Sequence, residues 1–129
     1  AGTVIHAVAA SMWAAGWRVV LLTSMPPAEE SAYLREQRSA GVTEQQLVMV
    51  SLRDLSPDGR PGDAFCSKAL QWAEGAERLY ERLPYDVIEF FEYAAPAALL
   101  LARRYHHPLR TLPASVKVVV RIHGSLEWI

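Results

Sequence analysis

The chain has 129 residues, 51% of them hydrophobic and 21% charged, with a formal net charge of −1. That is long enough for one domain with a buried core and too apolar for a disordered segment. Interspersed charge near neutrality leaves no basis for nucleic-acid or anionic-membrane binding; the most apolar run, residues 94–102, is too short to span a bilayer and holds Pro96.

Val4, Ile5, Val8, Ala9, Met12 and Trp13 recur at helical spacing directly after Gly2-Thr3. Thr3 can cap this first helix, and Gly16 supplies a left-handed stop. Residues 18–23 then read as a short apolar strand. A helix, a glycine stop and a strand make half of a βαβ unit, so the preceding strand is expected upstream of Ala1. The chain opens without Met and directly on a helical pattern, as a trimmed segment does. No signal peptide is visible in it.

Met25-Pro26-Pro27 breaks the chain, and residues 28–40 form a Glu- and Arg-rich solvated helix ending at Gly41. Residues 47–52 are a second strand, and 54–62, with two Pro and two Gly, a loop. Asp63 caps the clearest helix. Its apolar stripe is Phe65, Ala69, Trp72, Ala73, Ala76, Leu79, Tyr80 and Leu83; Lys68, Gln71, Glu74, Arg78, Glu81 and Arg82 face outward, with Glu74 and Arg78 one turn apart. Cys66, beside that stripe, is the only cysteine, which excludes an internal disulfide and points to a reducing, cytoplasmic setting.

Pro84 stops this helix, and residues 86–90 are a third strand. Pro96 opens a third helix, which closes on Arg103-Arg104, cations at the negative end of the dipole. His106-His107 lacks a third ligand nearby and makes no metal site. Residues 117–122 are the fourth strand, whose β-branched run implies burial on both faces of a parallel sheet. At its end stand His123 and Gly124. His123 either serves a ligand just beyond the strand or hydrogen-bonds a loop.

Alternating strands and helices imply an α/β fold, a doubly wound, Rossmann-like parallel sheet over residues 1–129 as one domain. Thr23-Ser24, Glu89, Glu92 and His123 then gather at the carboxyl ends of the strands, where such sheets bind ligands.

Three stretches together resemble the N-terminal, acceptor-side domain of a GT-B fold retaining glycosyltransferase, of family 4 and its glycogen synthase-like relatives. Gly2-Thr3-Val4-Ile5-His6 with Ala14-Ala15-Gly16-Trp17-Arg18-Val19 resembles the family's Gly-rich turn, first helix and second strand. Tyr85-Asp86-Val87-Ile88-Glu89 resembles the strand before an acidic-aromatic loop, here Glu92-Tyr93. Val119-Val120-Arg121-Ile122-His123-Gly124 resembles the strand that ends in His-Gly or His-Asn. The resemblance implies that Gly2 and Thr3 approach the diphosphate of a nucleotide-sugar donor, and that Glu92, Tyr93 and Gly124 line the acceptor and sugar cleft. His123 would be the catalytic-side residue. It implies no metal and no cofactor beyond the nucleotide sugar as co-substrate.

Two features depart from the family. Only Ala1-Gly2 stands for the glycine pair of the turn, and Glu89 and Phe91 stand where glycogen synthase-like members often carry histidines. The nucleotide-sugar domain, with its Lys/Arg pair and Glu-x7-Glu motif, is absent from these residues, so the chain is expected to be inactive alone and to need that C-terminal domain. The alternatives are a flavodoxin-like binding or regulatory domain, which would need a fuller glycine fingerprint or paired acids, and an interaction domain using Trp13, Trp17, Trp72 and Trp128.

Overall fold

The computed structural model describes residues 2–55, 64–91, 96–106 and 112–121. Among these it is mixed α/β: α1 (Gly2–Ala14), β1 (Val19–Thr23), α2 (Pro27–Ser39), β2 (Leu47–Ser51), α3 (Leu52–Leu55), α4 (Ala64–Arg82), β3 (Val87–Phe91), α5 (Pro96–His106) and β4 (Lys117–Arg121). The strands form two parallel pairs, β1 with β2 and β3 with β4. The chain divides into two compact units, Ala1–Asp54 and Leu55–Ile129. No helix among the described residues is long and apolar enough to cross a membrane.

In the first unit the β-branched and leucine-rich runs pair from Val19↔Leu47 to Thr23↔Ser51. Side chains alternate across a strand, and Val19, Leu21 and Leu47 share the face that α1 and α2 cover. Ala9 and Trp13 from α1 and Tyr33 and Leu34 from α2 complete this core. Gly16 (φ +95°) and Gly41 (φ +93°) end the two helices in the left-handed region that L side chains disfavour. Arg38 ties α2 to the next strand, donating to the Val42 carbonyl at 3.0 Å and the Leu47 carbonyl at 2.7 Å.

The second unit packs α4 and α5 on one face of β3–β4. Ala73 and Ala76 from α4, Ala97 and Leu100 from α5, and Phe90, Leu112 and Val116 form its core. The small alanines bring α4 close to its neighbours. The Tyr85 hydroxyl donates to the Ala76 carbonyl at 2.7 Å, and its ring meets Tyr80 edge-on at 5.3 Å. Burial first, and the Glu77 carboxylate second, push that hydroxyl's pKa well above the tyrosine range.

Several expectations are corrected. Leu52 starts α3 instead of ending β2, and α3 takes in Asp54 and Leu55, the first two residues of the expected loop. The rest of that loop and the Asp63 cap lie outside the described residues. Thr3 lies within the first turn of α1, because the helix already starts at Gly2. Val4 is exposed and Trp72 half-buried. The fourth strand is not buried on both faces: Val119 and Val120 are 42% and 43% exposed. The described helices that pack on β4 cover one face only, and β3 is its one described neighbour.

Glu74, expected outward, is buried on α4 near Glu77, and both carboxylates meet Arg103 of α5. In the sequence Arg103 reads only as a cation at a helix end. In the structure it crosses to the neighbouring helix, with Glu77 accepting from its Nε and Glu74 lying 3.9 Å from Nη1.

Candidate functional site

Parallel pairing brings the carboxyl ends of two strands to one edge, and the first unit assembles a polar ring there. β1 ends on Thr23 and β2 on Ser51, register partners that are both buried. Both project to the face that α1 and α2 cover, since they keep the alternation of Leu21 and Leu47. The Thr23 Oγ1 accepts the Met25 N–H at 3.0 Å and so stabilises the turn out of β1. Arg53, two residues beyond Ser51, donates to the Met25 carbonyl at 2.9 Å and to Glu30 Oε2 at 3.0 Å.

Glu30 stands in the first turn of α2, where Pro26 and Pro27 set the entry and the positive end of the helix dipole favours a carboxylate. Its second oxygen, Oε1, is buried and has no hydrogen-bond partner, and the same holds for Ser51 Oγ. A buried polar atom without a partner costs free energy. The ring therefore holds one acceptor-only atom and one hydroxyl that can donate or accept, both unsatisfied.

α1 brings its N-terminus toward the same edge. The tight turn at Ala15–Arg18 reverses the chain, with Trp17 N–H donating to the Met12 carbonyl at 3.0 Å. α1 therefore runs antiparallel to β1. Its 13 residues span about 20 Å against about 16 Å for five strand residues. One turn into α1, His6 Nδ1 and the Tyr33 hydroxyl share a hydrogen bond of 2.7 Å. His6 also meets the Trp13 ring edge-on at 5.9 Å and the Tyr33 ring at 5.8 Å. Burial, and then the Glu36 charge, raise the Tyr33 pKa above its ordinary value. Together these contacts fix the α1 end that carries Gly2 and Thr3.

In the second unit the edge is simpler. Phe91 and Arg121 are the last register pair, and Arg121 donates to Glu89 across the strands. Glu89 is thereby neutralised on the face away from α4 and α5. The pair is well exposed, which makes it a weak source of stability. Glu92 and Tyr93 follow β3, and His123 and Gly124 follow β4; all four lie outside the described residues.

Of the residues expected from the sequence to gather on one sheet edge, the structure places Thr23 within the ring, Ser24 exposed beside it, and Glu89 in the other pair of strands; Gly2 and Thr3 stand at the start of α1. It adds Glu30, Ser51 and Arg53, which the sequence reading missed. Ser51 carried one signal: like Thr23, it is a hydroxyl residue ending an apolar run. Glu30 and Arg53 carried none, because their charges look like those of any solvated face. Among the described residues no three His, Cys, Asp or Glu gather as metal ligands. A shallow groove of about 300 Å³ at the opposite, amino end of β1–β2 is lined by Arg18, Leu34, Arg38 and Glu44. Its Arg38 guanidinium is already committed to two carbonyls. Comparison of the chain with protein-family models, with curated proteins and with solved structures found no match.

Proposed function

We propose that this chain is the acceptor-side domain of a nucleotide-sugar-dependent retaining glycosyltransferase of the GT-B type, inactive without a C-terminal nucleotide-sugar domain. The observation that carries the reading is the order of elements. Two parallel strand pairs each present polar residues at a carboxyl edge, and α1 directs its N-terminus to one of them. A doubly wound, Rossmann-like sheet with its first strand supplied upstream of Ala1 belongs to this reading. So does a cytoplasmic location, in keeping with the lone Cys66.

The division of labour follows from the chemistry. Retaining transfer passes through an oxocarbenium-like transition state with a diphosphate leaving group, so it needs two positioned substrates and charge stabilisation. Free N–H groups at Gly2 and Thr3 face the diphosphate; a side chain at position 2 would block that approach. Glu92, Tyr93 and Gly124 orient the acceptor and sugar. His123 makes a hydrogen bond that tightens in the transition state, the kind of contact that raises turnover. No step uses a metal.

The test is nucleoside diphosphate release by the full-length protein from UDP-, ADP- and GDP-sugars. One of these donors supports release, and residues 1–129 alone give none. His123→Ala lowers kcat on the order of 10²-fold with donor KM and Tm unchanged; Gly2→Val raises donor KM instead. Absence of release from every donor overturns the reading, as does a His123→Ala protein that unfolds while its folded fraction keeps full activity.

A further inference from the structure

We infer that the groove at the amino end of β1–β2 captures the C-terminus of a peptide, with its carboxylate on Arg18 and its last peptide group on the backbone of Met49. The groove has a volume of about 300 Å³, at the lower end for small-ligand sites. Its lining comes from both faces of the strand pair. Met49 lies with Leu34 on the face that α1 and α2 cover, and Val48 on the other. Residues from two faces share a groove only around the margin of a sheet. Since β1 closes one side of β2, the groove wraps the free edge of β2.

The backbone at that edge is open at one residue. Val19 N–H donates to the Gln46 carbonyl at 2.8 Å, so in this parallel ladder Gln46, Val48 and Val50 point to β1, and Leu47, Met49 and Ser51 away from it. On the outer side Leu47 is fully engaged: its N–H donates to the Thr43 carbonyl at 3.0 Å and its carbonyl accepts from Arg38 at 2.7 Å. Ser51 is buried. Met49 remains, half-buried, its outward N–H and C=O without a partner among the described residues. One open residue suits the end of an extended chain, not a long added strand.

Charge selects which end. The Arg18 side chain makes no hydrogen bond or ion pair among the described residues, and Arg38, whose Nη atoms are engaged, adds a second positive charge. Against these two stands one lining carboxylate, Glu44. A guanidinium fork matches a carboxylate with two parallel hydrogen bonds, so the acid end is favoured over the ammonium end. Leu34, Val48 and Met49 give the last side chain an apolar wall. The groove lies at the opposite end of the strands from the edge discussed for glycosyl transfer, so this inference stands apart from the transferase reading.

The test is calorimetric titration of the full-length protein with acetyl-Ala-Leu, its C-terminal amide and hexanoate, alongside hydrogen exchange at the Met49 amide. Acetyl-Ala-Leu binds, and its amide binds about ten-fold more weakly, the loss of one charged hydrogen bond. Hexanoate, which has no peptide group for Met49, also binds more weakly. Exchange at Met49 slows when the peptide acid is bound. Arg18→Gln weakens the acid about ten-fold, leaves the amide-capped peptide as it was, and leaves Tm unchanged, because Arg18 is exposed and unpaired. Three results overturn the inference. Acid and amide bind equally or neither binds; hexanoate matches the peptide and Met49 exchange is unaltered, so that a carboxylate alone is recognised; or Arg18→Gln keeps full affinity.

Discussion

Arg103→Met tests the polar clamp between α4 and α5. Glu74 and Glu77 are 6% and 9% exposed, and Arg103 is the cation that both face. Methionine keeps the apolar stem but removes the charge, so two buried carboxylates lose that cation. Breaking a buried ion pair by removing one partner costs about 3–5 kcal/mol. The Arg103 side chain keeps 20% of its exposure, which places the loss at the lower end, about 3 kcal/mol. For a chain of this length about 4 °C follows from each kcal/mol, so Tm falls by about 12 °C. Urea midpoints and thermal melts of Arg103→Met, the Glu74→Gln/Glu77→Gln double variant and the triple variant measure it. The triple variant should recover much of the loss, since neutral amides need no counter-charge. If Arg103→Met costs less than 1 kcal/mol, or the triple variant is worse than the sum of its parts, the ion pairs do not hold the helices together.

Leu79→Ala, in the buried stripe of α4, should lose about 2–4 kcal/mol through cavity formation. Half-buried Trp72→Ala should lose less, and exposed Glu81→Ala should stay within about 0.5 kcal/mol, so equal denaturant midpoints would show the helix face misassigned. Gly41→Ala should cost about 1 kcal/mol from backbone strain alone, because a Cβ there meets no atom within 4 Å; an unchanged melt would place that residue outside the left-handed region. The raised pKa of Tyr85 gives a pH dependence with a definite sign. Its contribution is fully present below the ordinary value of 10.0 and is lost as pH rises beyond it, because the unfolded chain releases that proton first. Stability measured from pH 8 upward should fall more steeply above pH 10 in the wild type than in Tyr85→Phe, and parallel curves would remove Tyr85 as the cause.

The sequence by itself determined which of the longer segments are helices and strands and nearly where each ends, though not the short α3, because those signals are local. β-branched runs adopt extended backbone, Gly16 and Gly41 accept the left-handed turn, and Pro84 and Pro96 bound α4 and α5. Tertiary structure alone decided what those elements bury. Glu74 reads as a surface charge until Arg103, far along the chain, arrives beside it, and Arg53 becomes part of a ring only when α2 carries Glu30 back to it. The valines of β4 form a strand for local reasons, yet their exposure depends on which neighbours cover them. The same holds for Ser51, whose alternation placed it on a face but whose lack of a partner is a property of the packed unit. Backbone preference is set by the residues on either side; burial, pairing and polar satisfaction are set by groups that meet only after the chain has folded.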